Sequence, residues 1–332
     1  MRELGDEVFI LRFDMRCPDW GEASPGDLYS AAVEMSRYGE QHGAAAIIVS
    51  EHHHSSDGYL PSPLVLASAI AAATSRIPIQ IGALLLPLHD PVRIAEDMVI
   101  LDHLSRGRVT YVVAVGYRPE EYAMFGHDFR SRGRRMEAGL GALQSAFSGE
   151  PFEYEGRRAW VRPKPYTAGG PTLFMGGHSR IAVGRAARFG LGVMTEGGTG
   201  LRDFYVEECR KHGREPGAFI DPPTGGASSA FVAEDPDEAW ERFGPYLLHD
   251  ARMYGVWMGE QHQSVSKSKA LDVASLRAEQ GSYRIFSVEE AIAYVRQRGM
   301  LALQPLCGGL PPALAWESVR LVAEKVIPAV RG

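Results

Sequence analysis

A single (β/α)8 barrel with elaborated loops (the TIM-barrel class) is the fold the sequence predicts, and three observations predict it. Short apolar runs alternate with amphipathic or alanine-rich stretches along the whole chain, which reads as parallel α/β. The runs at 46–49 and 77–86 are apolar at almost every position, as in strands buried on both faces of a parallel sheet. Strand one is followed by Arg16, Cys17, Pro18, Asp19 and Trp20. An open doubly wound sheet would place a glycine-rich fingerprint there. Eight strands and about eight helices are expected over 332 residues. That length exceeds the ~250 residues of a typical barrel, as enlarged loops would require. The whole chain, 1–332, reads as one domain.

In order, residues 8–15 form the first apolar strand. Asp27 precedes a helix with Leu28, Ala31, Ala32 and Met35 on one face, and Gly43 stops it. Strand two runs through 46–49 and ends abruptly in Glu51, His52, His53 and His54. Pro61, Ser62 and Pro63 open an alanine-rich helix to about Arg76, and strand three spans 77–86. Asp90 and Pro91 read as an N-cap and first helical residue. That helix buries Ile94, Ala95, Met98 and Leu101 and ends near Gly107. Strand four, 108–115, stops at Gly116 and Tyr117. A basic helix covers 132–147, and 151–170 read as irregular because of their prolines and glycines. Strand five at 172–177, a helix at 179–189, strand six at 191–195 and a helix to His212 follow. Strand seven, 228–232, is weaker, and Asp235 and Pro236 open another helix. Residues 249–283 break the rhythm with His262, Ser264, Ser266, Lys267, Ser268 and Lys269, and read as a mobile insertion after strand seven. A helix at 287–298, strand eight at 301–305 and a last helix from Pro311 complete the chain. The last helix is expected to bury Trp316, Val319, Val322 and Val326.

Composition narrows the function classes. Lys and Arg total 35 against 41 Asp and Glu, a net charge of -6 without a basic tract, which argues against a nucleic-acid partner. No apolar run approaches the ~18–20 residues that span a bilayer, and the first residues lack a signal peptide's apolar core. A cytoplasmic protein with no membrane partner is expected. Cys17, Cys209 and Cys307 are far apart and form no C-x-x-C pair, which indicates neither a disulfide framework nor a thiolate zinc site.

In a barrel the chemistry sits at the carboxyl ends of strands. Glu51, His52 and His53 stand at the end of strand two, where imidazole suits proton transfer near neutral pH. If extension persists, His52 and His54 share one side and His53 takes the other. Adjacent histidines do not easily converge on one ion, and no H-E-x-x-H occurs, so no metal is expected. Gly176, Gly177, His178 and Ser179 place glycines, then a polar cap, before a helix. This is an anion cradle or, equally, a tight βα turn with a serine cap. The cluster at 130–135 is either solvated surface or the source of one guanidinium for a phosphate.

The order of these pieces carries a resemblance. Glu51-His52-His53 is followed by the run 81–92, Ala95-Glu96-Asp97, the run 101–108, Phe125-Gly126, the turn 176–179 and Gly308-Gly309-Leu310-Pro311. Over nearly the whole chain this resembles the bacterial luciferase-like monooxygenase family. The resemblance implies a flavin-dependent barrel enzyme using reduced FMN, or alternatively coenzyme F420, as a diffusible cosubstrate. It implies oxygenation of a small organic substrate with O2, a separate flavin reductase, and a homodimer formed through helices two and three. By this resemblance His52 is the active-site histidine, with Glu51 and His53 beside it; Glu51 alternatively orients a histidine or closes the barrel mouth. Ala83 and Leu84 match the strand-three end, where a non-prolyl cis peptide often lies against the isoalloxazine. Gly116 and Tyr117 match the end of strand four. Gly176, Gly177, His178 and Ser179 match the phosphate turn, Arg134 a phosphate contact, and 249–283 a mobile loop shielding the flavin. Hydride transfer with F420, flavin binding without catalysis, and a metal-dependent hydrolase built on His52 and His54 are the alternatives. Trp20, Tyr59, Tyr117, Tyr254 and Trp257 either line an aromatic substrate pocket or simply pack.

Overall fold

The computed structural model describes residues 8–258 and 268–331. Strand β1 (Phe9–Phe13) leads to α1 (Pro25–Gln41), β2 (Ala44–Val49), α2 (Pro63–Ala73), β3 (Ile79–Leu84), α3 (Pro91–Ser105) and β4 (Val109–Val113). Helices α4 (Pro119–Met124) and α5 (Arg132–Phe147) come next, then a hairpin of β5 (Phe152–Tyr154) and β6 (Arg157–Ala159). The βα alternation resumes with β7 (Thr172–Gly176), α6 (Arg180–Phe189), β8 (Gly192–Met194), α7 (Arg202–Lys211) and β9 (Phe219–Ile220). Then follow β10 (Ser229–Val232), α8 (Pro236–Met258), α9 (Val273–Ala278), β11 (Tyr283–Phe286), α10 (Val288–Arg298) and β12 (Leu301–Leu303). The chain ends in α11 (Pro312–Leu321), a π-turn and α12 (Ile327–Arg331).

Ten strands form one sheet in the order β11-β10-β12-β1-β2-β3-β4-β7-β8-β9. Its ladders are parallel. Leu11 stands beside Ile47, Ile47 beside Ile79 and Ile79 beside Val109, and all four are buried. These register partners line one fully covered face of the sheet, while alternate positions such as Ile10, Ile48 and Gln80 on the other face are partly buried. Because every strand points the same way, the segments after β1, β2, β3, β4, β7 and β8 emerge at one end, where ionisable residues collect. No helix among the described residues is long and apolar enough to cross a membrane.

Local chemistry explains most boundaries. Ser24, not Asp27, caps α1: its Oγ accepts the Asp27 N–H, and Asp27 returns the bond in a capping box. The Asp90 carboxylate accepts the Val92 and Arg93 N–H groups ahead of Pro91.

The structure departs from the expectations in four places. Residues 151–170 are not wholly irregular, because Glu155 and Gly156, both at positive φ, turn the β5–β6 hairpin. The sheet gains β9, too short at two residues to register as an apolar run, and β11, whose apolar run is interrupted by Arg284. Within the described part of 249–283, residues 249–258 belong to α8, α9 spans Val273–Ala278 and β11 begins at Tyr283. Tyr246, Asp250, Tyr254 and Met258 recur every fourth residue on the buried face of α8, so the helix continues to Met258. The polar composition downstream hid that periodicity. The part of the expected insertion at 259–267 lies outside the described residues. Trp316 is only partly buried, unlike Val319, Val322 and Val326.

Candidate active site

The carboxyl end of β2 supplies the centre. His52 is buried, and its Nδ1 lies 2.8 Å from Glu121 Oε1 at the start of α4. A carboxylate only accepts, so the pairing sets the imidazole proton on Nδ1 and leaves the Nε2 lone pair free to act. Tyr117 Oη lies 3.4 Å from that Nε2. Burial pushes the His52 pKa down; Glu121 opposes this without reversing it, while Arg16 and Arg118 reinforce it. Near neutral pH His52 is therefore a neutral base.

Glu121 also accepts the His53 backbone N–H at 3.0 Å. Arg118 donates to the His53 carbonyl at 2.6 Å and the His54 carbonyl at 3.1 Å. These bonds pin the chain where the strand has ended. His54 turns into the left-handed region at φ 51 and is exposed, so extension does not persist and His52 and His54 are not a pair.

Glu51 and His53 belong to a second cluster. Glu51 Oε1 accepts from His53 Nε2 at 2.8 Å and His89 Nε2 at 2.7 Å, and Oε2 accepts the Leu85 N–H at 2.5 Å. Burial raises the Glu51 pKa, but the two imidazoles outweigh it and hold the carboxyl at about 2. Glu51 thus ties β2 to the turn after β3. Ser50 Oγ adds a 2.6 Å bond to the Gly82 carbonyl. The Gly82–Ala83 peptide is cis, which locates the non-prolyl cis bond the sequence left open. Ala83 is partly exposed there, whereas the Leu84 side chain is wholly buried in the core.

A cage of rings surrounds His52. Centroid distances are 4.9 Å to Tyr59, 5.5 Å to Tyr117, 6.4 Å to Tyr254 and 4.8 Å to Trp257. The last two ride on α8, which is held close because Gly308 passes its backbone: a Cβ at Gly308 would sit 2.1 Å from the Tyr246 carbonyl oxygen. Trp20 stays at the rim, half exposed, against Tyr246 and His249. Arg16, fully buried behind the cage, binds Asp250 and Asp57, each at 2.6 Å.

The turn after β7 has the features of an anion cradle. Gly177 has φ +133, and a Cβ there would meet the Ala182 Cβ at 3.0 Å. Ser179 caps α6 by accepting the Ala182 N–H at 3.2 Å. The other N–H groups of that first turn have no intrahelical acceptor. His178 is half exposed and 3.8 Å from Glu196. Arg134 is exposed on α5, while its neighbour Arg135 bonds the Pro87 carbonyl. Gly116, at φ 71, turns the chain from β4 toward Tyr117.

Glu121 and Asp250 escaped the sequence reading, while Arg118 and Asp57 stand at the strand ends it picked out but received no role there. Only their nearness to a strand end signalled Glu121 and Arg118; Asp57 and Asp250 act on Arg16 from distant parts of the chain. Glu121→Gln is expected to lower the His52 pKa further, since the lost charge is what raises it. NMR titration of His52 checks this, and an unchanged or raised value would contradict the pairing.

Fold and site together define an α/β protein whose buried ionisable residues gather at the carboxyl end of a parallel sheet. The chain belongs to the luciferase-like monooxygenase family, whose model matches residues 13–293. It is 27% identical over 173 residues to the alkanal monooxygenase alpha chain of Photorhabdus laumondii, covering 51% of this chain and 48% of that one. The chain thus spans about half the length of the curated relatives it matches. A monooxygenase from Streptomyces bottropensis superposes with a TM-score of 0.74 at 22% identity, covering 97% of this chain and 99% of the other. The oxygenating constituent of 3,6-diketocamphane monooxygenase from Pseudomonas putida, solved with FMN, superposes with a TM-score of 0.67 at 18% identity, covering 97% and 98%.

Proposed function

We propose that this protein is a flavin-dependent monooxygenase that uses reduced FMN and O2 to oxygenate a small organic substrate, with a separate reductase supplying the flavin. The observation that carries the reading is the neutral, Glu121-oriented His52 inside a ring of aromatic side chains. Family membership agrees with it. The reading also takes the parallel sheet to close as a (β/α)8-type barrel, supported by the strand order β12-β1-β2-β3-β4-β7-β8.

The residues fit an FMN. Gly176, Gly177, His178 and Ser179 would hold the phosphate through backbone N–H groups and the α6 dipole, with Arg134 as an outer cation. Ala83, partly exposed, would face the ring system. The bound flavin supplies the reducing electrons and the site of oxygen activation. His52 Nε2 accepts or returns a proton while Glu121 keeps the opposite nitrogen protonated. Tyr59, Tyr117, Tyr254 and Trp257 exclude water and orient the substrate.

Anaerobic titration with reduced FMN and reduced F420 tests the reading. FMN is expected to bind, and O2 uptake should then match formation of oxygenated product. Binding of F420 alone, without O2 uptake, would replace the reading with hydride transfer. Gly177→Val should weaken FMN by tenfold or more, because φ +133 excludes a β-branched residue.

We further propose a homodimer through α2 and α3. Val65, Ala69 and Ala72 line an exposed stripe of α2, and Ile100 and Leu104 one of α3. Ile100→Asp should convert a dimer to monomer in gel filtration, and a monomer in the wild type would remove the idea.

A further inference from the structure

Arg16 is the largest fully buried side chain in the protein's core, and two of its three nitrogens are accounted for. Nε donates to Asp250 Oδ1 and Nη1 to Asp57 Oδ2, each at 2.6 Å. Nη2 is buried and meets no acceptor among the described residues. A guanidinium is a fork of five N–H donors, and an arm left unpaired in a low-dielectric site is costly. Asp250 is itself fixed by Tyr283 Oη at 2.8 Å, and Asp57 by His249 Nε2 at 2.9 Å. The fork therefore cannot swing to find another partner without breaking these bonds.

The guanidinium that carries this third arm lies directly behind the cage described above, against its rings. Arg16 Cζ stands 4.3 Å from the Trp257 ring centroid, 4.8 Å from Tyr59 and 5.2 Å from Tyr254. These are three of the four rings around His52. Arg16 and His52 thus share one aromatic enclosure. Trp257 already sets a ring against this guanidinium at cation–π distance.

We propose that Arg16 Nη2 binds the substrate, donating to a neutral oxygen acceptor, a ketone or quinone carbonyl, carried by an aromatic ring system within the cage. The inference rests on reading the cage as the substrate site, and it names the substrate class for that site. Charge selects the neutral oxygen. Asp57 and Asp250 contact the guanidinium directly and Asp14 approaches to 3.9 Å, so the positive charge is already matched. A carboxylate or phosphate entering here would meet no excess positive charge. A carbonyl needs only the free N–H. The rings supply stacking partners for a planar ligand.

The test is calorimetric titration of the full chain with three ligands of one skeleton: tetralin, 1-tetralone and tetralin-1-carboxylate. A hydrogen bond to a charged donor in a buried site corresponds to roughly ten- to a hundredfold in affinity. 1-Tetralone should exceed tetralin by that factor, and the carboxylate should gain nothing over tetralin. Equal affinity for ketone and hydrocarbon overturns the proposal and leaves Arg16 as a strut between α8 and the β2 loop. A carboxylate bound best overturns the neutral-oxygen assignment. Arg16→Lys keeps a cation opposite Asp57 and Asp250 but removes the third arm, so the ketone preference should vanish while the fold persists by circular dichroism. Should that variant not fold, the wild-type ligand series still decides. Reduced FMN is titrated in parallel. If FMN binds without a ketone preference, this inference alone fails; if the preference holds without FMN binding, the oxygen subsite stands and the flavin reading fails.

Discussion

His52→Ala should lower turnover by about 10²- to 10⁴-fold, the range expected when a positioned general acid–base is removed. Reduced-flavin affinity should change little, because the residues assigned to the phosphate lie after β7, on other elements. The variant should also fold. Removing the imidazole does not strand Glu121, whose Oε1 still accepts the His53 N–H at 3.0 Å and faces Arg118 Nη1 at 3.4 Å. The stability cost should stay near the roughly 1.5–3 kcal/mol of one hydrogen bond to a charged group, plus the term for the cavity left among the rings. The pH profile gives a second readout. The folded pKa of His52 is depressed below 6.5 by burial. The neutral base therefore persists as pH falls through 6.5 and is lost only at lower pH, so wild-type activity should hold through that range. If His52→Ala turned over at the wild-type rate, proton transfer would have to be reassigned, with Tyr117 the nearest alternative at 3.4 Å.

How far the sequence leads depends on the range of the interaction that fixes each feature. The βα rhythm, the strand ends and the position of His52 follow from local patterns, since apolar runs and caps are written in consecutive residues. Ser179 capping α6 and Asp90 capping α3 appear where the sequence places them. The partners of the site residues do not have this character. Glu121 reaches His52 across 69 positions, and Asp250 reaches Arg16 across 234. No periodicity encodes such pairs; only the sheet order β10-β12-β1-β2-β3-β4 brings them together. The same distinction explains 249–258. Locally these residues precede a Ser- and Lys-rich stretch, while the helix is held by long-range packing of Tyr254 against Tyr59 and of Gly308 against Tyr246. The three histidines show it most directly. Adjacent in sequence, they have three separate fates: His52 on Glu121, His53 on Glu51, and His54 in solvent.

The second large effect is expected at Glu51, and it is one of stability. Glu51 accepts three hydrogen bonds, from His53, His89 and the Leu85 backbone, with no exposed surface of its own side chain. Glu51→Gln preserves shape but offers one acceptor atom and one donor. With its NH2 toward Leu85 that buried N–H is orphaned; with its NH2 toward the rings, both imidazoles lose the acceptor they share and must change tautomer, and in either case the charge that holds His89 is gone. The expected loss is roughly 3 kcal/mol at pH 7, read as a lower denaturation midpoint. The pH dependence follows from direction. The Glu51 pKa is depressed from 4.5 to about 2, so its stabilisation is complete above 4.5 and is lost as pH falls toward 2. His89 moves the other way: burial lowers its pKa, but the Glu51 bond and charge prevail and raise it above 6.5. Its share is complete below 6.5 and fades as pH rises through the raised value. The gap between wild type and Glu51→Gln should thus be widest between these limits and close in acid. Equal midpoints at pH 7 would remove Glu51 as the tie between β2 and the turn after β3. A lowered midpoint with intact turnover per folded molecule would keep the tie but separate it from the chemistry at His52.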